Sequence, residues 1–390
     1  MILKISFILL LFSIIEVILT KKIDGDLIFV QAIWRHGDRA PSDLPYPNDV
    51  HTENKWEDGW GQLTLKGKSQ MLNLGNWFRK RYTHKFVNST YKPQEVYIRS
   101  SDVDRTLASA QSFIYGMFPN TKHSGHKLPT QAVPIHASSP RDNDPLLRPT
   151  GFDCPEYDKK EENINNNLHE ELMKNYSDIL PLLKNVTGFT EDLTIKDVGG
   201  LCSINIEIIH GLNQPSWVLK EWPQYDKKTT LDIVCDIKRQ TRLGEFQNSE
   251  LGKLRGGYLL DNWLDNIKKI INHPNDSYKK MILYSSHAET VLALMSALNV
   301  FPDDIFPYAS AIVMELYKSD NGTYYVDLIY KPNDKSSKEL EIPGCEKPCE
   351  FETLVRISTD RVIDSKKELY RECALEYCEK SNGVIFDYAD

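Results

Sequence analysis

The order of hydrophobic and polar positions predicts strands that alternate with helices. Three nearly continuous apolar runs are typical of strands covered on both faces, and they span Leu27 to Trp34, Val96 to Ile98 and Met281 to Tyr284. Each run is followed by polar residues and then by a pattern typical of a helix, in residues 64–82, 106–117 and 290–298. This alternation predicts an α/β fold.

The composition changes in the middle of the chain, which predicts an inserted domain. Residues 155–274 are polar and helix-like, and they are rich in Asn, Lys and Glu. We therefore expect residues 24–154 and 280–375 to form the α/β domain. Residues 155–279 would form a smaller, mainly helical cap domain, and residues 376–390 a short polar tail.

The first residues of the chain resemble a secretory signal peptide, which we assign to residues 1–20. Lys4 precedes an apolar run from Ile5 to Leu19, and Lys21 follows it. An uncleaved anchor is the alternative, but a membrane span needs about 20 apolar residues and Glu16 interrupts this run. No second run is long enough to span a membrane, so no membrane attachment is expected after cleavage.

Cysteines and glycosylation sequons favour an oxidising compartment, either the extracellular space or the lysosomal lumen. There are seven Cys, so at least one is free or intermolecular. Cys345 and Cys349 flank a turn-like segment suited to a short-loop disulfide. Five sequons are candidate glycosylation sites, at Asn88, Asn175, Asn185, Asn275 and Asn321. Asn321 lies at the predicted tip of a hairpin between residues 312–317 and 324–330.

The charge balance argues against nucleic acid as a partner. Lys and Arg number 47 against 55 Asp and Glu, which gives a net charge of −8, whereas binding a phosphate backbone needs a basic face. Any anion must therefore meet a local cluster of positive charge. No self-complementary apolar stripe decides the oligomeric state, and a homodimer is left open.

The first predicted strand ends in the segment Arg35-His36-Gly37-Asp38-Arg39. Ligands of open α/β sheets bind beyond the carboxyl ends of strands, where this segment lies. The two guanidiniums offer forked donors that match phosphate oxygens, and Gly37 permits close approach of the backbone to a ligand. Neighbouring cations disfavour a protonated His36, so we expect it to be a neutral nucleophile.

Two further segments follow predicted strands and open helices. In the second, Arg105 would lie in a first helical turn, where a cation is unfavourable unless an anion or a carboxylate such as Asp102 or Asp104 compensates it. In the third, His287 can donate to a phosphate oxygen. Glu289 follows it as a candidate general acid, or simply as a first-turn carboxylate that the helix dipole favours.

Together the three segments predict chemistry on a phosphate group. Two His, three Arg and one carboxylate at one sheet edge suit phosphoryl transfer to a histidine, because the cations spread the charge of the transferring group. No cluster of metal ligands is visible in the sequence. We therefore expect no metal and no cofactor, with the arginines in place of a metal ion.

These segments resemble the histidine acid phosphatases, in particular the prostatic and lysosomal type of animals. Besides the first segment, the resemblance covers Gly61-Gln62-Leu63-Thr64, residues 97–106, Pro307-Tyr308-Ala309-Ser310 and Pro343-Gly344-Cys345. It implies a phosphoglycerate mutase-like fold, with a mixed, mostly parallel sheet flanked by helices and an inserted cap. It also implies that His36 is the nucleophile and that the phosphate ligands are Arg35, Arg39, Arg105 and His287. The implied disulfides are Cys154–Cys373 and Cys345–Cys349.

The chain departs from the family pattern at two places. The animal enzymes usually have His-Asp with Asp as the proton donor, whereas here Ala288 takes that position and Glu289 follows, as in the inositol-polyphosphate branch. Ala311 takes the position of the Cys that usually pairs with the equivalent of Cys202. We therefore expect Cys202 to pair with Cys235 and Cys378 to remain free.

The sequence thus predicts an acid phosphatase that hydrolyses small phosphate monoesters through a phosphohistidine. The first alternative is a phytase-like inositol-polyphosphate phosphatase, with a pocket lined by basic cap residues: Lys227, Lys228, Lys238, Arg239 and Arg242. The second alternative, suggested by Ala288, is a secreted protein that binds phosphate without turning it over. Catalysis by Glu289 as the acid predicts an acidic pH optimum.

Overall fold

The fold is described from a computed structural model, which covers residues 25–119, 131–141, 143–274, 276, 278–333 and 335–377. The described strands are β1 (Asp26–Arg35), β2 (Val96–Ser100), β3 (Glu221–Trp222), β4 (Lys228–Thr229), β5 (Met281–Ser286), β6 (Ala311–Lys318), β7 (Tyr324–Lys331), β8 (Lys338–Leu340) and β9 (Cys349–Glu350). The longer helices are α1 (Leu65–Tyr82), α2 (Asp104–Met117), α3 (Pro155–Asn175), α7 (Thr230–Gln247), α8 (Ser249–Asn272) and α9 (Ala288–Ala297). The shorter helices are α4 (Leu180–Thr187), α5 (Ile195–Gly200), α6 (Ile204–Ile209), α10 (Phe351–Ser358) and α11 (Lys366–Glu372).

Seven of these strands form one mixed sheet, in the order β2-β5-β1-β6-β7-β8, with β9 paired to β7. Strands β2, β5 and β1 are parallel, and β6 and β7 continue the sheet as an antiparallel hairpin. Four of the seven strands therefore run in the same direction. The predicted α/β class with a mixed, helix-flanked sheet is confirmed, as is the hairpin around Asn321.

Helices cover both faces of the sheet, which explains why the sequence of β1 is apolar from Leu27 to Trp34 except at Gln31. Val30, Ala32 and Trp34 are buried in the cluster that includes α1 and α2. Phe29 and Ile33 are buried on the other face, in the cluster that includes α8 and α9. Successive side chains of a strand point to opposite faces, so a strand buried on both sides is apolar at nearly every position.

A third hydrophobic cluster lies among the helices inserted between β2 and β5. It joins Tyr46 to side chains of α4, α5, α6 and α7, with Leu183, Val198 and Ile237 fully buried. Helix α8, which belongs to the same predicted insertion, packs differently. Its Trp263 and Leu260 belong to the sheet cluster, and the carbonyl of Trp263 accepts a hydrogen bond from Gln31 Nε2 of β1 at 3.0 Å. The division into an α/β domain and a cap remains a prediction.

The described residues contain three disulfides, which join the pairs named from the sequence: Cys154–Cys373, Cys202–Cys235 and Cys345–Cys349. The sequon residues Asn88, Asn175, Asn185 and Asn321 are exposed. The predicted signal peptide, Asn275, Cys378 and most of the polar tail lie outside the described residues. Within the described part of the chain, no helix is both long and apolar enough to cross a membrane.

Candidate active site

The parallel strands β2, β5 and β1 end at one edge of the sheet and bring the three predicted segments together. Arg35 pairs with Ser286, and Ser100 pairs with Ser285, so the strand ends are in register. Two backbone hydrogen bonds extend the ladder beyond them, from His36 N to the Ser286 carbonyl at 2.9 Å and from Ser101 N to the Ser285 carbonyl at 3.1 Å. The geometry follows from parallel pairing, because parallel strands present their carboxyl ends at one edge.

The imidazole of His36 is 4% exposed and has a fixed orientation. Its Nδ1 lies 2.8 Å from the carbonyl of Gly37, which can only accept, so Nδ1 carries the proton and Nε2 has a free lone pair. Burial is the largest cause that lowers the pKa of His36 well below its ordinary value, and the neighbouring groups Arg35, His287 and Arg105 act in the same direction. His36 is therefore neutral and nucleophilic at acidic pH.

Arginines from two segments lie around this imidazole. The guanidinium of Arg35 stacks on the ring of Tyr308 at 3.9 Å and donates to the carbonyl of Phe306, while its Nε has no partner among the described residues. Arg105 also has an unpartnered buried Nε. Burial and the charge of Arg39 lower the pKa of Arg105 to about 10. Since cations lie together with unused donors, the cluster is suited to an anion.

The carboxylate whose charge acts on Arg105 is Glu289, whereas the sequence suggested Asp102 or Asp104. Glu289 is the charge that raises the pKa of Arg105, against burial and neighbouring cations. Asp104 instead accepts from Gln62 Nε2 at 3.1 Å. Arg105 therefore remains available to an anion at the start of α2.

His287 lies between Arg105 and a serine that the sequence analysis did not single out. Its Nε2 lies 3.0 Å from Ser101 Oγ, and its Nδ1 lies 3.5 Å from Arg105 Nη2. The rings of His36 and His287 are 5.6 Å apart. An arginine only donates, so Nδ1 of His287 accepts and Nε2 carries the proton. Burial and the charge of Arg105 lower the pKa of His287 and keep it neutral.

Glu289 lies in the first turn of α9, with 31% of its side chain exposed. Its Oε1 is 3.7 Å from Nη2 of Arg242, which reaches the site from cap helix α7. Burial raises the pKa of Glu289, but the charge of Arg242, the helix start, His287 and Arg35 outweigh burial and lower it below its ordinary value. The contact between Arg242 and Glu289 was not predicted from the sequence.

Asp38, its neighbour Gly37 and Gly67 of helix α1 allow the first segment to pack closely against α1. Oδ1 of Asp38 accepts from Thr64 Oγ1 at 2.6 Å and lies 2.7 Å from Nε2 of His210, at the end of α6. A Cβ atom on Gly37 would lie 2.4 Å from the carbonyl oxygen of Gly67, and one on Gly67 would lie 2.0 Å from that of Asp38. Gly37 thus permits close approach of the backbone to helix α1. The expected reason for this glycine was close approach of the backbone to a ligand.

Two of the five basic residues proposed for polyphosphate binding come close enough to act on the charged groups of the candidate site. Lys238 and Arg242 lie one turn apart on α7. Burial, Arg242, Arg39 and Arg35 lower the pKa of Lys238 to about 8, so Lys238 lies within the field of the cluster. By contrast, Lys228 and Arg239 pair with Asp236 at 3.3 and 2.8 Å. Among the described residues, no metal-ligand group includes His36, His287 or Glu289.

The chain belongs to the histidine phosphatase superfamily, branch 2, which its residues 26–331 match. It is 33% identical to lysosomal acid phosphatase of Homo sapiens over 364 residues, which cover 92% of this chain and 83% of that protein. It is 31% identical to prostatic acid phosphatase of Bos taurus over 369 residues, which cover 92% and 91%. The family resemblance inferred from the motifs is confirmed.

Solved structures of bacterial phytases share the fold. A Klebsiella phytase superposes with a TM-score of 0.66 at 16% identity and covers 91% of this chain and 98% of its own. The phytase of Hafnia alvei superposes with a TM-score of 0.63 at 17% identity and covers 86% and 97%. At such identities the likeness concerns the fold alone.

Proposed function

We propose that this protein is an acid phosphatase that hydrolyses phosphate monoesters, with His36 as nucleophile and Glu289 as proton donor. The observation that carries the proposal is the buried, neutral His36. Its Nδ1 is bound to the carbonyl of Gly37 at 2.8 Å, so Nε2 is free for attack, and cations with unused donors lie beside it. The acid phosphatases named above, related to this chain over most of its length, support the same activity.

In the first step, Nε2 of His36 attacks phosphorus in line with the ester oxygen. The N–P bond forms as the P–O bond to the alcohol breaks, and Glu289 gives its proton to the leaving oxygen. Arg35, Arg39 and Arg105 stabilise the charge on the equatorial oxygens during transfer. The products are an alcohol, a phosphohistidine and an ionised Glu289.

In the second step, a water molecule attacks the phosphohistidine. The Glu289 carboxylate takes a proton from the water, the new P–O bond forms, and the N–P bond breaks. Inorganic phosphate leaves, and His36 and Glu289 return to their starting protonation states. One carboxyl group thus acts as acid and then as base.

Substrate binding should raise the pKa of Glu289, so that the carboxyl group is protonated and can act as an acid. In the protein alone, Arg242, His287 and Arg35 contribute to lowering its pKa. A phosphate group bound among these cations offsets their charge, so the pKa of Glu289 rises on binding. Proton uptake should therefore accompany substrate binding in the mildly acidic range, where the free carboxyl is ionised.

A phytase-like activity is the second candidate, and the placement of Lys238 and Arg242 favours it. Both lie on one face of α7 beside the catalytic cluster, where a substrate with several phosphates would meet additional cations. The presence of Glu289 directly after Ala288 also resembles the inositol-polyphosphate branch of the family. A substrate comparison distinguishes it from a general monoesterase.

We infer a secreted or lysosomal location. The disulfides, which persist in oxidising compartments, and the exposed sequons support it. The two mammalian relatives carry the names lysosomal and prostatic acid phosphatase. The expectation that the chain does not bind nucleic acid rests on its charge of −8 alone.

The first experiment is the pH dependence of p-nitrophenyl phosphate hydrolysis by the purified protein without added metal. We expect an acidic optimum, no turnover by His36→Asn, and a large loss of kcat in Glu289→Gln. Equal activity of wild type and Glu289→Gln would remove Glu289 from the mechanism. Phosphate binding without turnover would instead establish the non-catalytic alternative, and preferred cleavage of inositol hexakisphosphate the phytase-like one.

A further inference from the structure

Three buried side chains outside the catalytic cluster bring potential metal ligands together. Asp49 and His51 belong to the segment that follows residues 35–39, the proposed catalytic loop, and Glu207 belongs to α6. They are 6%, 9% and 0% exposed. Their ligand atoms all lie within 4.8 Å of one another. Since Glu207 is far from the other two in the sequence, no motif pointed to this cluster.

Each of the three side chains has one polar atom engaged and the other without a partner. Oδ1 of Asp49 accepts from the backbone N–H of His51 at 2.8 Å. Oε2 of Glu207 accepts from Nε2 of Gln214 at 2.8 Å. Nε2 of His51 donates to the carbonyl of Asn213 at 2.8 Å, so Nδ1 of His51 is an unprotonated lone pair.

The remaining atoms are all acceptors, and they are buried without a partner among the described residues. They are Asp49 Oδ2, His51 Nδ1 and Glu207 Oε1, with Gln214 Oε1 as a fourth. A single proton shared by the two carboxyl groups would satisfy their oxygens. It would leave Nδ1 of His51 and Oε1 of Gln214 without a donor, at the usual cost of a buried unpaired polar group. A cation satisfies several acceptors at once.

We propose that Asp49, His51 and Glu207 bind a divalent cation of the Zn²⁺ type. One imidazole nitrogen and two carboxylate oxygens form a ligand set that Zn²⁺ uses, at bond lengths of about 2.0–2.2 Å. The ligand atoms draw together from their separation of up to 4.8 Å when the ion binds. The contacts from Asn213 and Gln214 orient the ligands, as outer-shell partners do in metal sites.

The position of the site assigns it a structural role next to the catalytic loop. His210 directly follows α6, and its Nε2 lies 2.7 Å from Oδ1 of Asp38, two residues after His36. An ion held by Glu207 of α6 and by Asp49 and His51 would connect the cap helix to the segment that continues the catalytic loop. In this position the ion would stabilise the fold, and none of its three ligands has a role in the proposed reaction.

The test is Zn²⁺ binding by the full protein after dialysis against a chelator at neutral pH. We expect one Zn²⁺ per chain by calorimetry, a Tm that rises by at least about 3 °C with Zn²⁺, and much weaker binding of Mg²⁺. Glu207→Gln offers an N–H donor toward Oδ2 of Asp49, so it should fold without metal. It should bind Zn²⁺ at least about 100-fold more weakly.

Two further variants complete the design. His51→Gln should lose the Zn²⁺ response, whereas His273→Gln, which removes an exposed histidine after α8, should keep it. No Zn²⁺-dependent rise in the Tm of the wild type would overturn the proposal. Equal Zn²⁺ binding by wild type, Glu207→Gln and His51→Gln would also overturn it, because the ion would then lie elsewhere. Binding is measured without any substrate, so it stands or falls independently of the phosphatase activity.

Discussion

Nη2 of Arg242 lies 3.7 Å from Oε1 of Glu289 and connects helix α7 of the cap to the first turn of α9. The same guanidinium binds Glu245 through Nη1 at 2.7 Å. The proton donor proposed for the reaction is thus in contact with a residue of the inserted segment. A shift of α7 relative to α9 would change the charge next to the donor, and with it the pH range of the enzyme.

Arg242→Gln should extend activity toward alkaline pH. Arg242 lowers the pKa of Glu289, so its removal raises that pKa, and the carboxyl group keeps its proton to higher pH. The alkaline limb of the kcat profile should therefore move upward. Arg239→Gln is the matched control, because Arg239 lies on the same helix but pairs with Asp236 at 2.8 Å. An unchanged limb in Arg242→Gln would separate Glu289 from the pH dependence.

Glu289→Gln should lower kcat by about 10²–10⁴-fold for substrates with a poor leaving group, because general acid catalysis contributes that much. p-Nitrophenolate leaves readily without a proton, so the loss should be smaller for p-nitrophenyl phosphate than for glycerol phosphate. Parallel kcat measurements on both esters check this. The same loss on both would mean that Glu289 acts by binding phosphate rather than by protonating the leaving group.

A phosphoenzyme should accumulate on His36 during turnover. Rapid quenching in alkali with ³²P-labelled substrate should label the wild type and leave His36→Asn unlabelled, because the carboxamide of Asn is not nucleophilic and cannot form the N–P bond. Peptide mapping should place the label in the segment that contains His36. Label on His287 would reverse the roles of the two histidines.

Gly67→Ala should destabilise the fold by about 1–3 kcal/mol, the usual cost of overpacking. Its Cβ would lie 2.0 Å from the carbonyl oxygen of Asp38 and displace the catalytic loop. Gly200→Ala is the control, since a Cβ there meets nothing within 4 Å and the residue ends helix α5. Urea unfolding of both variants measures the difference in their free energies of unfolding. Equal values for the two variants would show that the fold does not depend on the contact between residues 35–39 and α1.

Local sequence patterns were sufficient for the elements that carry the site. The apolar runs of β1, β2 and β5 identified strands because a strand buried on both faces contains few polar residues. Their parallel pairing then brought His36, Arg105 and His287 to one edge. The same patterns did not distinguish α8, whose buried Trp263 packs on the sheet, from the helices of the cap. Helical spacing reveals an apolar face but not the surface that it covers.

Contacts between distant segments could not be predicted from the sequence. The approach of Arg242 to Glu289 depends on how α7 packs against α9. The hydrogen bond from Nε2 of His287 to Ser101 Oγ depends on the register of β2 and β5. The pairing of Cys202 with Cys235 was expected because Ala311 replaces the usual partner of Cys202. The disulfide joins the turn between α5 and α6, which contains Cys202, to α7, which contains Cys235.

The Cys154–Cys373 disulfide joins the residue that precedes α3 to the residue that ends α11. A protease that cuts the chain once anywhere between these residues, including the exposed loops of the cap, leaves two fragments that remain covalently linked. A nicked molecule would migrate as one species without reductant and as two with it. A cut between α3 and α8 therefore places His36 and Glu289 on different fragments. The disulfide nevertheless keeps the two residues in one covalent molecule.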